Sequence, residues 1–261
     1  MAAPTLLIIG HLCHDRLPSG EIKLGGTAAY AALLAKKMGA EVTILTSVGS
    51  DFSFWELFKK QEIGIINIPS KETTIFENIY PEAGERIQYL HGRAATIAAE
   101  HIPDGIATPD LVLFGPIADE VSFELLECYP DALKAATIQG WLRGWKEDGQ
   151  VFSKGLEWEN LGALDLLIFS DADVVGFEDV IPGLAGFIPI VIMTRGENGV
   201  RVFQKNAVVD YPTIPVDVKD STGAGDSFAM AFLLRYYETK DLVGSVEYGQ
   251  EVARKLLRSL S

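Results

Sequence analysis

Residues 219–228 read KDSTGAGDSF and lead into the apolar stretch MAFLL, with a strand-like segment, AVVDYPTIPV (residues 207–216), just before them. Gly223, Ala224 and Gly225 stand where a helix spanning Ser227 to Tyr237 should open. Backbone N–H groups at the positive end of a helix form an anion site, and glycine lets the chain approach a phosphoryl group closely. Asp226 falls in the first helical turn, beside that anion. A carboxylate there is repelled by the anion unless it has a task. The task that fits is to accept the proton of a hydroxyl attacking a γ-phosphate while the N–H groups stabilise the transition state. Taken alone, Asp226 also reads as a favourable first-turn charge.

The chain has 261 residues, 48% apolar and 22% charged, with a formal net charge of −14. That balance fits a folded α/β protein and argues against nucleic acid or anionic membranes as partners. A phosphate ligand stays open, because backbone N–H groups bind anions inside acidic proteins. Runs such as LDLLIF and IPIVIM are too short to cross a bilayer, and no signal peptide is apparent. Two cysteines, Cys13 and Cys128, build no disulfide framework, so a cytoplasmic protein with reduced thiols is expected.

Strand-like and helix-like segments alternate along the chain. TLLIIG, EVTILTSVG, PDLVLFG, LDLLIF and IPIVIMT read as buried strands, while GGTAAYAALLAKKMG, SFWELFKKQEIG and SFELLECY read as helices. Continuous apolar strands between helices predict a doubly wound, mostly parallel sheet covered by helices on both faces, in one domain spanning residues 1–261. Residues 72–93 depart from this theme: two alternating polar and apolar segments flank Pro81-Glu82-Ala83-Gly84, a β-hairpin pattern. With residues 16–24 it is expected to form a small β-lid. His11, Cys13 and His14 make an H-x-C-H cluster that packed strand-end residues explain better than a metal, since no second ligand cluster accompanies it.

The string DSTGAGDSF resembles the C-terminal signature of the ribokinase-like, or PfkB, carbohydrate kinases. LGGTAAYAALLAKKMGAEVTILTSVGSD resembles that family's N-terminal di-glycine region, and TRGENGV, residues 194–200, its nucleotide loop. The order and spacing of the three agree over nearly the whole chain. The resemblance implies Asp226 as catalytic base, Gly223, Ala224 and Gly225 as anion hole, and Thr194, Gly196, Gly199, Asp220 and Thr222 at the nucleotide. It implies Asp15, Gly25 and Gly26 at the acceptor. ATP and Mg²⁺ follow as donor and cofactor, with a monovalent cation as a family option. A lid strand with aromatic faces suits a lid-to-lid homodimer, and a monomer is equally consistent.

Some positions depart from the family pattern. The usual Asn-x-x-Glu is replaced by Ser170-Asp171-Ala172-Asp173, so Asp173 would reach the metal through water. Tyr30 replaces an asparagine of the di-glycine helix, which implies an altered acceptor pocket. IIGHLCHD followed by LGGTAAY is similar to the opening of myo-inositol kinases, and TIQGWLR, residues 137–143, to their Q-G-x-x-R segment. That similarity implies Gln139 and Arg143 at the acceptor and a cyclitol as substrate. A ribose, fructose, 2-keto-3-deoxygluconate or nucleoside acceptor also fits, with Phe76, Tyr80 and Tyr89 available to stack on a base. A non-catalytic nucleotide or sugar sensor on the same fold is the alternative from another class.

Overall fold

The computed structural model describes residues 2–79, 87–205, 207–216 and 223–260, so Tyr80, Asp220 and Thr222 lie outside the described residues. Its main sheet has nine strands: β1 (Thr5–Ile9), β4 (Glu41–Val48), β5 (Gly64–Pro69), β8 (Leu111–Phe114), β9 (Leu133–Thr137), β12 (Leu166–Ser170), β13 (Ile190–Thr194), β14 (Val200–Gln204) and β15 (Ala207–Tyr211). They lie in the order β15-β14-β13-β12-β9-β8-β1-β4-β5. Pairing is parallel from β5 across to β13 and antiparallel for β14 and β15. The chain first builds outward from β1 through β4 to β5, then returns to the other side of β1 with β8. That reversal sets a topological switch point between β1 and β8, where ligands of open α/β sheets gather at the carboxyl ends of the strands.

The two faces are covered unequally. One carries α1 (Thr27–Lys37), α2 (Trp55–Lys60), α4 (Ala224–Thr239) and α5 (Leu242–Leu260), packed on Leu6, Ile8, Ile44, Leu113 and Ile168. Five alanines of α1 are buried, and their small side chains let that helix lie close to the sheet and to α4. The other face is covered by 3₁₀ turns, among them Phe123–Glu127 and Trp158–Leu161, and by the four-residue α3 (Ile181–Leu184). SFELLECY, read as a helix, is such a turn: its apolar residues anchor one short turn over Trp141, whose indole N–H donates to Val121 O at 2.7 Å. No described helix is long and apolar enough to cross a membrane.

A second sheet of four strands stands off the first. It runs β3 (Ile22–Gly25), β2 (Cys13–Arg16), β6 (Thr74–Ile79), β7 (Ile87–Gly92), so it pairs strands from residues 22–25 and 72–93 and adds β2, which starts ahead of the segment 16–24. A hairpin that sequence patterning did not suggest, β10 (Arg143–Trp145) with β11 (Val151–Ser153), reaches β7 through a Leu90 N–H bond to Gly149 O at 2.9 Å. Arg143, at the start of that hairpin, is thereby tied to the small sheet.

Candidate active site

The helix α4 starts at Gly223, whose φ of 79° is the left-handed conformation that glycine adopts without strain. The first helical bond runs from Ser227 N to Gly223 O at 2.9 Å. The preceding N–H groups, of Ala224, Gly225 and Asp226, have no acceptor within the helix and face out of its end. Gly225 is exposed, and a side chain there would meet nothing within 4 Å. Packing therefore does not demand glycine at this position; close approach of a ligand to the helix end would.

Asp226 is half-buried as a residue, and its carboxyl is desolvated. Burial is the main influence and raises its pKa above the ordinary carboxylate value. A hydrogen bond with the Thr27 side chain opposes that rise, Asp173 adds to it, Arg143 opposes it and Asp15 adds to it. Five side chains from α1, α4, β2, the start of β10 and the turn after β12 thus meet in one electrostatic neighbourhood.

Asp15 lies on β2, in register with Phe76 on β6. Its carboxylate passes over Gly25 of β3, where an added Cβ would come within 2.3 Å of Asp15 Oδ2. Gly26, with φ 97°, turns the chain into α1 at a point where a Cβ would strike His11 O at 2.6 Å. Arg143 donates to Ile117 O at 2.8 Å, and its guanidinium lies over the Phe76 ring at 5.1 Å. Gln139, expected at the acceptor, donates its amide N–H to Asp173 Oδ1 at 2.9 Å, and Asp173 Oδ2 accepts from Ser170 N at 2.9 Å. Thr194 ends β13 with its hydroxyl bonded to Phe169 O at 3.3 Å. Gly196 and Gly199 form the tight turn between β13 and β14, closed by Arg195 N to Gly199 O at 2.8 Å.

Two buried groups carry no signal in the sequence. Thr27 simply follows the di-glycine pair, yet it reaches Asp226. Glu120 is fully buried and accepts backbone N–H bonds from His11 (2.9 Å), Ile117 (2.9 and 3.0 Å) and Ala118 (2.6 Å), fixing the loop that supplies the Ile117 carbonyl to Arg143. Only the fold brings those N–H groups together. His11 is equally structural: burial holds its pKa below the ordinary value, so Nε2–H donates to Ala95 O at 2.8 Å and Nδ1 accepts from Thr74 Oγ1 at 2.7 Å. Tyr30, expected in the acceptor pocket, packs its ring against Gly223. A cavity of about 700 Å³ lies between α5 and residues 212–214, lined by Thr213, Ile214, Glu247, Tyr248 and Gln250, with Arg235 reaching it from α4.

The family model for pfkB family carbohydrate kinases matches residues 173–260, from the carboxylate bonded to Gln139 through α4 and α5. Over those residues the chain matches a PfkB family carbohydrate kinase domain. It is similar to a cytidine kinase of Thermococcus kodakarensis, 28% identical over 97% of this chain and 96% of that protein. It is also similar to an inositol 3-kinase of Arabidopsis thaliana, 27% identical over 85% of this chain and 65% of that protein. A pyrophosphate-dependent kinase in the ribokinase family, solved with a pyrophosphate analog and myo-inositol, superposes with a TM-score of 0.83 at 19% identity, over 97% of this chain and 95% of that one. These similarities identify a sugar or nucleoside kinase of the ribokinase family, and the sensor alternative is set aside. The PfkB segment contains Asp226, Gly223, Gly225 and Thr194, while Asp15, Gly25 and Arg143 are brought to it from outside.

Proposed function

We propose that this chain is a Mg²⁺- and ATP-dependent kinase that phosphorylates a hydroxyl of myo-inositol or a related polyol. The observation that carries the reading is the convergence of Asp15, Arg143, Asp173 and Thr27 on Asp226 at the open end of α4. The acceptor lies beneath the four-stranded sheet, with Asp15 accepting from its hydroxyls and Arg143 donating to an oxygen. Asp226 takes the proton of the attacking hydroxyl, and the N–H groups of residues 223–225 stabilise the charge that builds on the transferring phosphoryl group. The small sheet acts as a lid that excludes water and so prevents hydrolysis of the donor.

Magnesium suits the donor set at Asp173. Mg²⁺ is commonly held by one or two carboxylates while phosphate oxygens and waters complete its shell. Asp173 would hold it directly or through water, and the bound ion would neutralise charge between the donor's phosphates. The cavity between α5 and residues 212–214, which Arg235 reaches from α4, supports a nucleotide as donor. Arg235 lies nine residues beyond Asp226, about 13 Å along the helix axis, so the cavity is set back from the reaction centre as a nucleoside is from its terminal phosphate.

The acceptor reading leans on the lid aromatics. Arg143 occupies a face of the Phe76 ring, and Tyr89 stacks on His91 at 6.2 Å. Ring faces already engaged in this way favour a hydroxyl-rich acceptor over a stacked base. The nearly full-length likeness to a cytidine kinase favours a second reading, a nucleoside acceptor. Coupled ADP release with Mg-ATP would be measured against myo-inositol, ribose, fructose, 2-keto-3-deoxygluconate, adenosine and cytidine, with Asp226→Asn as control. Inorganic pyrophosphate would replace ATP in a parallel set. Turnover with myo-inositol that the control lacks supports the proposal; turnover only with cytidine or adenosine replaces it with the second reading. Equal turnover by the Asn variant sinks the role of Asp226.

A further inference from the structure

Tyr30 bridges β3 of the small sheet and the glycine that opens α4. It lies in the first turns of α1, and its hydroxyl donates to Leu24 O in β3 at 3.2 Å. Its ring lies flat enough on Gly223 that a Cβ there would sit 3.3 Å from Cδ1 and 3.5 Å from Cε1. Leu24 directly precedes Gly25, the residue over which the Asp15 carboxylate passes. Gly223 is the left-handed residue from which α4 begins. One rigid side chain therefore runs from the strand next to Asp15 to the turn that aims the α4 N–H groups.

We propose that Tyr30 is a positioning residue that couples the small sheet to the anion-binding turn, so that an acceptor held against β2 and β3 orders the donor site. The inference rests on the reading of α4 as the phosphoryl-binding end. The aromatic ring sets the turn by contact, and the hydroxyl ties that contact to β3. A displacement of β3 moves the Leu24 carbonyl, and the hydroxyl carries the displacement through the ring to Gly223. Because coupling between two binding sites is reciprocal, donor binding must in turn hold β3 in place. A phenylalanine at position 30 keeps the ring and cuts the tie.

The test compares wild type, Tyr30→Phe and Tyr30→Ala by amide hydrogen exchange and by calorimetric titration with Mg-ATP, each with and without 10-millimolar-scale myo-inositol, a saturating dose on the order expected for weak polyol binding. In Tyr30→Phe the amides of residues 223–227 should exchange about tenfold faster, and the Mg-ATP dissociation constant should rise about five- to tenfold, the low end of typical couplings between sites. Exchange in β1 and β8 and the urea midpoint should stay as in wild type. Tyr30→Ala should show a larger effect at the same amides. Unchanged exchange at residues 223–227 together with unchanged Mg-ATP affinity in Tyr30→Phe overturns the proposal, and so does a uniform rise in exchange across the sheet, which would make Tyr30 an ordinary packing residue. The exchange readout needs no turnover, so a failed kinase assay with intact coupling would count against the proposed reaction and not against Tyr30.

Discussion

Thr27, the first residue of α1, hydrogen-bonds the carboxylate of Asp226 in the first turn of α4, so two of the four helices that cover one face of the sheet meet at the proposed base. A hydroxyl donating to a carboxylate favours its ionised form, and burial disfavours it; the balance leaves the Asp226 pKa raised. Thr27→Val preserves shape and removes the donor. The acid limb of the pH–rate profile should move to higher pH, with kcat/KM at neutral pH about tenfold lower, as loss of one bond to a charged group implies. Thr27→Ser should restore both. A Val variant with the wild-type profile would remove Thr27 from the mechanism.

Asp226→Asn carries a stability signature of its own. A carboxyl whose folded-state pKa is raised favours the folded state when protonated, and that contribution is lost as pH rises through the folded value. At neutral pH the native protein therefore carries the cost of a desolvated charge. Thermal unfolding should show the Asn variant with the higher Tm near pH 7–8, and the gap should close as pH falls below the ordinary carboxylate range. Turnover should drop by about 10²–10⁴.

Gln139 grips Asp173 at 2.9 Å, with Ser170 N holding the other oxygen. Loss of an outer partner of a metal-binding carboxylate typically weakens the metal about 10- to 100-fold. Gln139→Ala should raise the Mg²⁺ concentration needed for half-maximal rate by about that factor while leaving the fold intact by circular dichroism. A normal Mg²⁺ requirement would separate Asp173 from the metal.

Glu120 gathers backbone N–H groups from two loops into one buried carboxylate. Glu120→Gln turns an amide N–H toward those donors. Unfolding in urea should report a loss on the order of 3 kcal/mol, and Tm should fall by about 6–12 °C for a chain of this size. A shift within experimental error would mean the loop is held by other contacts.

Much of this architecture was legible in the sequence because apolar strands in a parallel sheet leave continuous runs such as TLLII and IVIMT. The strands β6 and β7 of the small sheet were legible from the alternating segments on either side of Pro81-Glu82-Ala83-Gly84. The second face was not: 3₁₀ turns have no long period to detect, so SFELLECY read as a helix. Within the candidate site, glycine spacing singled out Asp226 and residues 223–225. Gln139 bonded to Asp173 and Tyr30 against Gly223 are contacts between residues far apart in the chain, and only the fold decides them.

On the proposed reading, Arg235 carries the length of α4 to a cavity walled by α5 and residues 212–214. A helix does not stretch, so Arg235 and the open end of α4 would work as a ruler: a nucleoside triphosphate would reach both marks, and a short inorganic donor only the helix end. Placing the guanidinium one turn earlier on α4 would move the far mark by about 5.4 Å and leave every group at the helix end where it is.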